Sequence, residues 1–312
     1  VRETSVDALR AELEASRIAL FMAREKRIHP YKDDKVLTDW NGLMIAALAK
    51  ASLALDNTGC QTAAVKAADF LLETMREKDG RLLHRYRNGD AGISAHLEDY
   101  AFLVWGLIDL YECTFEVKYL QAATELNGFM TKHYADVLNG GYYMTADDAE
   151  ALLVRPKSAY DGAIPSGNSV ALYNLIRLSR ITGDTTLADL AQQVATAFGT
   201  PLNNSPTNFA VMLMGLDFAT GPSYEVVLAG VNNRPDMIVM KSTLYNAFMP
   251  NKVVLFRPDD EESPLISTIA EYTAAQKSME GKATAYVCEN FACSLPTTDD
   301  KKMMELLGVA SE

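Results

Sequence analysis

Residues 160–175, YDGAIPSGNSVALYNL, place a loop rich in Gly, Pro and Ser directly before an apolar helical pattern. Polar residues crowd the start of this helix, although a single N-cap residue would be enough to begin it. Three other segments repeat the arrangement: TDWNGLMIAALAKA at 38–51, HLEDYAFLVWGLIDLYE at 96–112 and NSPTNFAVMLMGL at 204–216. Each carries few charges beyond its polar start, which is typical of a buried helix.

Other helical segments, such as AAVKAADFLLETMREK at 63–78, carry charges on one face and suit an outer layer. Buried and amphipathic patterns alternate as far as about residue 218. The sequence therefore predicts a mainly α protein, an α/α toroid that is incomplete here because only about four helical hairpins are legible. Its inner helices would run the same way, so their polar N-termini would converge on one face and form a cleft. Two long breaks, 79–92 and 139–157, alternate like β-hairpins.

The composition changes near Gly221–Pro222. YEVVLAG at 224–230, KVVLF at 252–256 and TAYVC at 284–288 are β-rich runs separated by helical patterns. This order predicts a small, mostly parallel sheet. We therefore expect two domains, a toroid over residues 1–220 and a small C-terminal α/β domain over residues 221–312.

Charge and composition exclude several classes of protein. The net charge is −12, with no basic stripe, which argues against nucleic-acid and anionic-membrane partners. No apolar run is long enough to span a membrane and no signal peptide opens the chain, so a cytoplasmic protein is expected. With four histidines and no spaced His or Cys pair, no metal site is predicted. LAGVNN lacks the spacing of a dinucleotide loop, so no cofactor is predicted either.

The four cysteines are too scattered for a secreted disulfide scaffold. Cys60 and Cys113 lie near helix ends and are expected to be inert. Cys288 and Cys293 are separated by four residues, which is not the redox spacing C-x-x-C. Two buried thiols are expected there, although a turn would allow them to meet.

A first candidate cluster lies in YKDDKVLTDWNG, residues 31–42. Trp40 is suited to stacking on a sugar face, with Asp39 and Asn41 as hydrogen-bonding neighbours at the helix start, and Asp34 in the preceding loop adds an acceptor. Equally, these residues would serve only as a helix cap and a core aromatic side chain.

A second cluster lies in SAHLEDYAF, residues 94–102. Glu98 and Asp99 are adjacent and would point about 100° apart on a helix, so a working acid and base must come from different elements. His96 with Glu98, or Asp99 with Asp161, are the candidate catalytic combinations. Carboxylates roughly 5–9.5 Å apart would suit glycoside hydrolysis. The alternative is a capping arrangement without chemistry.

The stretch 160–175 supplies the third cluster, and a hairpin supplies the fourth. Asp161, Ser166 and Asn168 exceed what one cap requires, so we predict that they line the cleft. In RLLHRYR, residues 81–87, alternation puts His84 and Tyr86 on one face, where they are either ligand-binding or structural.

Four motifs carry a family resemblance: DDKVLTDWNGLMIAALAKA at 33–51, LEDYAFLVWGLIDLYE at 97–112, YDGAIPSGNSVALYNLIRLSRITGD at 160–184 and AYVCENFACSLPTTD at 285–299. In these motifs the chain resembles the C-terminal portion of the thioredoxin-domain-containing proteins related to spermatogenesis-associated protein. The resemblance implies a thioredoxin-like domain followed by a six-hairpin, glycosidase-like toroid similar to N-acylglucosamine 2-epimerases. It also implies a fragment, since the chain starts at Val1 and carries no thioredoxin domain.

The matching positions are candidate site residues: Asp34, Asp39, Trp40, Asn41, Glu98, Asp99, Tyr100, Asp161, Ser166 and Asn168. They lead to the hypothesis of a carbohydrate-active protein, epimerase-like or glycoside-hydrolase-like, with carboxylates and His96 as acid and base and with Trp40 and Tyr100 stacking on the sugar. One alternative is a non-catalytic binding or redox-partner module of a thioredoxin-domain protein, in which Cys288 and Cys293 exchange with a partner's thiols. A structural scaffold is the third.

Overall fold

A computed structural model describes residues 5–309. They fall into two compact units, one ending at Lys35 and the other beginning at Val36. The first unit contains helix α1, Val6–Glu25, which begins at Ser5, where the hydroxyl accepts a hydrogen bond from the Ala8 N–H at 3.2 Å. Among the described residues, no helix is both long and apolar enough to cross a membrane.

The second unit opens with helical hairpins, and its helices have the following bounds: α2 Thr38–Leu55, α3 Thr58–Thr74, α4 Leu97–Thr114, α5 Val117–Tyr134, α6 Gly167–Thr182, α7 Thr185–Ala197, α8 Gly199–Asn204 and α9 Ala210–Thr220. Helices α4 and α6 are buried on almost every side, whereas α7 buries only Ala191 and Val194. The predicted alternation of inner and outer helices is therefore confirmed, and the fold is an α/α toroid.

Glycines allow the inner helices α2 and α4 to approach closely. A Cβ atom on Gly42 would lie 2.5 Å from the backbone carbon of Phe102, and one on Gly106 would lie 2.6 Å from the Gly42 carbonyl oxygen. Further along the same two helices, Lys50 lies 3.3 Å from Asp109. The contacts advance in the same direction on both helices, so α2 and α4 run parallel and their N-termini meet at one end.

A small antiparallel sheet lies between the helices in sequence. It comprises β1 Val36–Leu37, β2 Leu83–Arg87 and β3 Asp90–Ser94, in that order. Asn88 and Gly89 both have positive φ angles and form the tight turn between β2 and β3. The expectation of a second hairpin is wrong. Residues 139–157 are all described, and the only β pairing that they make is an isolated bridge between Tyr142 and Ala135. This stretch instead forms a long loop that packs over the helix starts.

The C-terminal layer contains β4 Tyr224–Gly230, α10 Pro235–Asn246, β5 Lys252–Pro258, α11 Ile266–Ile269, β6 Thr284–Glu289, β7 Ala292–Cys293 and α12 Asp300–Leu306. The strand order is β5-β4-β6-β7. Strands β4 and β5 are parallel, but β6 runs antiparallel to β4. The expectation of a mostly parallel sheet is therefore wrong. The chain leaves β5 and enters β6 at the same end of the sheet, since Pro258 pairs with Gly230 and Thr284 with Ala229.

This layer packs on the helices of its own unit. The Tyr245 hydroxyl donates to the Glu112 carbonyl at 2.8 Å, and the Phe256 and Phe115 rings lie 5.4 Å apart. The division into domains at residue 220 stays a prediction, and the ends of the predicted ranges, 1–4 and 310–312, lie outside the described residues.

Cys288 and Cys293 form a disulfide, which corrects the expectation of two buried thiols. Asn290 and Phe291 both have positive φ angles and close a tight turn, so the two cysteines face each other across the β6–β7 ladder. Cys288 is buried and Cys293 is exposed. Cys60 and Cys113 are free thiols.

Candidate functional site

A pocket of about 510 Å³ lies where the N-terminal ends of α2, α4 and α6 converge. Strand β2 and the loop before α6 complete its walls. The lining residues are Asp39, His84, His96, Glu98, Asp99, Met144, Ser158, Tyr160, Gly162, Ala163, Ile164, Pro165 and Ser166. Carboxylates and imidazoles therefore share one solvent-accessible space.

Asp99 organises this pocket from a fully buried position in the first turn of α4. Its carboxylate accepts hydrogen bonds from the N–H of Asp39 at 3.0 Å and from the N–H of His96 at 2.8 Å. The second of these bonds forms half of a capping box at the start of α4. One side chain thus links the starts of α2 and α4.

The same carboxylate orients His84 on strand β2. The His84 Nδ1 lies 3.0 Å from both Asp99 oxygens, and its side chain is 24% exposed. The hydrogen bond to Asp99 raises the pKa of His84, although partial burial opposes this. Because Nδ1 faces the carboxylate, Nε2 is the ring atom left for a ligand.

His96 stands beside His84 at the rim. The two imidazole rings are 5.2 Å apart between centroids and nearly perpendicular, at 82°. The His96 Nδ1 lies 3.8 Å from Asp99, and its side chain is 43% exposed. The pocket therefore offers two imidazoles of which only His84 is held firmly by a carboxylate.

Glu98 and Asp39 have raised pKa values. Burial is the main cause for both, and the negative charge of Asp99 adds to it. The neighbouring backbone N–H groups of Glu98 and Gly167 favour the charged carboxylate and partly offset the rise in the pKa of Glu98. Both carboxyls therefore hold a proton more readily than exposed ones, which suits general acid catalysis.

The structure brings six of the predicted residues into the pocket: Asp39, His84, His96, Glu98, Asp99 and Ser166. Asp161 takes another place. Its Oδ1 accepts from the Ser166 N–H at 2.9 Å, and its Oδ2 accepts from the N–H groups of Val211 and Met212 at 2.8 and 3.3 Å. It therefore caps the start of α9, and we leave it out of the catalytic set.

Asn168 and Tyr100 also make internal contacts. The Asn168 amide bonds to the Tyr142 N–H and carbonyl and to the Ser158 carbonyl, and it is fully buried. The Tyr100 hydroxyl accepts from the Leu82 N–H at 2.8 Å, and burial raises its pKa to about 12. Both side chains hold the walls of the pocket together without lining it.

The remaining predicted residues lie outside the lining. Trp40 is 59% exposed on the first turn of α2, and the Asn41 amide donates to the Leu37 carbonyl at 2.7 Å. The Tyr86 ring packs edge-on against Phe70 on α3. Asp34 belongs to the first unit.

Sequence reasoning missed Met144 and Ser158, which reach the pocket from the long loop before α6. The loop is attached to the helix starts, since the Leu97 N–H donates to the Met144 carbonyl at 3.0 Å. No residue pattern in the loop signals this docking. Tyr160, which also lines the pocket, was visible only as a neighbour of Asp161.

Two clusters among the described residues bring potential metal ligands within 4.8 Å of one another: His84, His96 and Asp99; and His133, Asp147 and Asp148. In the first, the His84 Nδ1 points at the Asp99 carboxylate, an arrangement that shares a proton between them. In the second, Arg81 already binds both oxygens of Asp148. Neither arrangement favours a metal ion.

No protein-family model matches the chain. The chain is similar to spermatogenesis-associated protein 20 of Homo sapiens, with 34% identity over 97% of the chain and 40% of that protein. The Rattus norvegicus protein is 33% identical, over 97% of the chain and 39% of that protein. The chain thus spans about 40% of the length of these relatives.

Among solved structures, the chain is similar to a GH76 alpha-mannanase of Bacteroides thetaiotaomicron. The TM-score is 0.52 at 15% sequence identity, over 76% of this chain and 68% of the other. At this identity the likeness concerns the fold alone, and it agrees with the α/α toroid described above.

Proposed function

We propose that this chain is the carbohydrate-active part of a relative of spermatogenesis-associated protein 20, and that it carries out acid–base chemistry on a sugar in the pocket at the helix starts. The proposal rests on one observation: His84, His96 and Glu98 line the same pocket, around the buried carboxylate of Asp99. Perturbed titratable groups in a cleft are typical of catalytic sites. The toroid shared with a mannanase supports a sugar as the ligand.

The two imidazoles favour an epimerase-like reaction. Proton exchange on carbon requires one group that accepts a proton and a second that returns one. Asp99 favours the protonated form of His84, which leaves His96 as the base. His96 would take the proton beside the carbonyl of an open-chain sugar, the electron pair would enter an enediolate, and His84 would return a proton to the other face.

A hydrolase-like reaction uses the same pocket differently. Glu98, with its raised pKa, would protonate the leaving oxygen, and Asp39 would activate a water molecule. The two reactions differ in their products, since only the first exchanges carbon-bound hydrogen with the solvent.

A panel of aldoses and disaccharides incubated in D₂O and followed by NMR separates them. Deuterium on the carbon beside the carbonyl indicates the epimerase-like reaction, and new reducing ends indicate hydrolysis. We expect His84→Gln to reduce the epimerase-like rate, or Glu98→Gln the hydrolase-like rate, by about 10²–10⁴-fold, the usual share of general acid–base catalysis. His133→Gln, at the other histidine cluster, is the matched control and should retain activity. If neither deuterium incorporation nor new reducing ends appear with any sugar of the panel, the proposal is contradicted.

A second candidate function is a redox-partner or binding module for a thioredoxin-like domain absent from this chain. The Cys288–Cys293 disulfide with an exposed Cys293 favours it. A dithiol partner would attack the Cys293 sulfur, form a mixed disulfide and release the Cys288 thiolate, and its second thiol would then complete the reduction. If alkylation after mild dithiol treatment labels neither cysteine in the folded protein, this function is excluded.

A further inference from the structure

We infer that the pocket selects sugars without an anionic group, and that it prefers a cationic amino sugar to a sugar acid or a sugar phosphate. The inference rests on the proposed function, because it assumes that a sugar occupies this pocket. Two independent observations carry it: the charges of the lining, and the use already made of the backbone donors at the helix starts.

The lining is rich in acidic groups. It contains Asp39, Glu98 and Asp99, and among its described residues there is no lysine or arginine. The candidate cations are His84, which is already paired with Asp99 at 3.0 Å, and His96. An anionic sugar would thus meet more like charge than opposite charge.

Basic side chains of neighbouring segments are engaged elsewhere. Arg85, next to His84 on β2, lies 3.3 Å from Asp90. Lys157 binds Asp136 at 2.7 Å and the Gly140 carbonyl at 2.9 Å. They hold the loops, and neither contributes to the lining.

Converging helix N-termini would ordinarily form an anion site, since their free N–H groups and dipoles attract phosphate and carboxylate. Here carboxylates of the protein occupy those donors. Asp99 accepts from the starts of α2 and α4, at the Asp39 and His96 N–H groups. At the start of α6, a Cβ atom on Gly167 would lie 3.3 Å from the Glu98 carboxyl carbon, so a carboxylate of the protein stands beside this helix start as well.

Three further backbone donors near these helix starts also have acceptors within the protein. Asp161 accepts from the Ser166 N–H ahead of α6 and from Val211 in α9. The Ser166 hydroxyl accepts from the Ser169 N–H at 3.1 Å. The backbone N–H donors that would bind an external anion are therefore already bonded to groups of the protein. A ligand in the pocket faces the carboxylates of the lining instead.

Matched sugar quartets test the inference by calorimetry at pH 6.5 and low salt: glucose, glucosamine, glucuronate and glucose 6-phosphate, and the four mannose counterparts. For the skeleton that binds, we expect the anionic members to have a Kd at least tenfold higher than the neutral parent, and the amino sugar to bind at least as tightly as the parent. Raising the salt concentration should reduce the ratio of the Kd of the anionic sugar to that of the neutral parent, because screening weakens charge repulsion.

The variants Glu98→Gln and Asp39→Asn, made separately, should each reduce this ratio of Kd values severalfold. The control variant Asp147→Asn lies outside the pocket and should leave the ratio unchanged. An anionic sugar that binds more tightly than its neutral parent overturns the inference and leaves the proposed function standing. Absence of binding by all eight sugars instead overturns the proposed function, and the inference with it.

Discussion

Helices α2, α4 and α6 carry a charged cluster at each end, and the two clusters differ in how their charges are balanced. Towards the C-terminal ends, the Arg177 guanidinium binds Asp109 at 2.7 Å and Glu112 at 3.0 Å, and all three are buried. Lys50 adds a second cation at 3.3 Å from Asp109. Strand β5 covers this end, since the Val254 N–H donates to Glu112.

At the N-terminal ends, three carboxylates and two imidazoles face an open pocket and lack such a balance. Burial and mutual repulsion raise the pKa values of Asp39 and Glu98 there. A charged cluster in the toroid therefore serves structure where its charges cancel and are enclosed. Where they are left unbalanced and accessible, it is available for chemistry.

The largest expected effect concerns the closed cluster. Arg177→Met leaves Asp109 and Glu112 buried without their main cation, so we expect a loss of about 3–5 kcal/mol in the free energy of unfolding, measured with urea. Arg17→Met removes the exposed pair with Glu14 and should not change the unfolding midpoint measurably. If Arg177→Met proves as stable as the parent, the closed cluster is not what holds this end.

The same substitution at the two ends of α4 separates the two roles. Asp99→Asn weakens charge-assisted hydrogen bonds in a buried site, and we expect it to cost about 1.5–3 kcal/mol and to lower the pKa of His84 in an NMR titration. Asp109→Asn should lower stability but leave the His84 titration and sugar binding unchanged. If both variants lower the pKa of His84 equally, the charged clusters at the two ends of α4 do not have separate roles.

The contact between α2 and α4 near the pocket gives a smaller effect. Gly42→Ala forces a Cβ atom against the Phe102 backbone, so we expect a loss of about 1–3 kcal/mol. Gly128→Ala in α5, where a Cβ meets nothing within 4 Å, should stabilise the protein by about 0.5–1 kcal/mol. Thermal unfolding of the pair checks both signs.

The smallest expected effect is a gain in stability that depends on pH, from a substitution in the pocket. Because the folded-state pKa of Glu98 is raised, ionisation of this carboxyl destabilises the folded protein as the pH rises above the usual glutamate value of about 4.3. Glu98→Gln should therefore raise the melting temperature at pH 7 while it reduces activity, and the gain should vanish near pH 4. An exposed control, Glu77→Gln, should show no such pH dependence. A lower melting temperature for Glu98→Gln at pH 7 would contradict this account of the pocket.

Helix patterns in the sequence predicted the alternation of inner and outer layers and the convergence of the inner helix starts, because burial on all sides leaves a clear compositional mark. The roles of individual carboxylates were harder to predict. Asp99 and Asp161 both lie beside a helix start, and which one faces a pocket depends on how residues 135–166 fold over that end. The alternation within that loop predicts a hairpin that does not form, so it gives no information on how the loop docks.

Both corrections in the C-terminal layer depend on how the chain connects one strand to the next. The Cys288–Cys293 disulfide depends on positive φ angles at Asn290 and Phe291, and although Asn adopts such angles readily, Phe rarely does, so the sequence does not predict this turn. The antiparallel direction of β6 arises because the connection 259–283 crosses to the other side of β4 at the end of the sheet where β5 finishes. Strand composition alone does not encode either choice.

The contacts of Asp99 have a consequence for how the protein folds. Its partners lie 60, 15 and 3 residues away along the chain, at Asp39, His84 and His96. The contact that spans 60 residues forms more slowly than the local ones, because closing the chain costs entropy before any bond is gained. During refolding, the helical signal should therefore return before the function of the pocket does, so that activity marks the final assembly of the native structure.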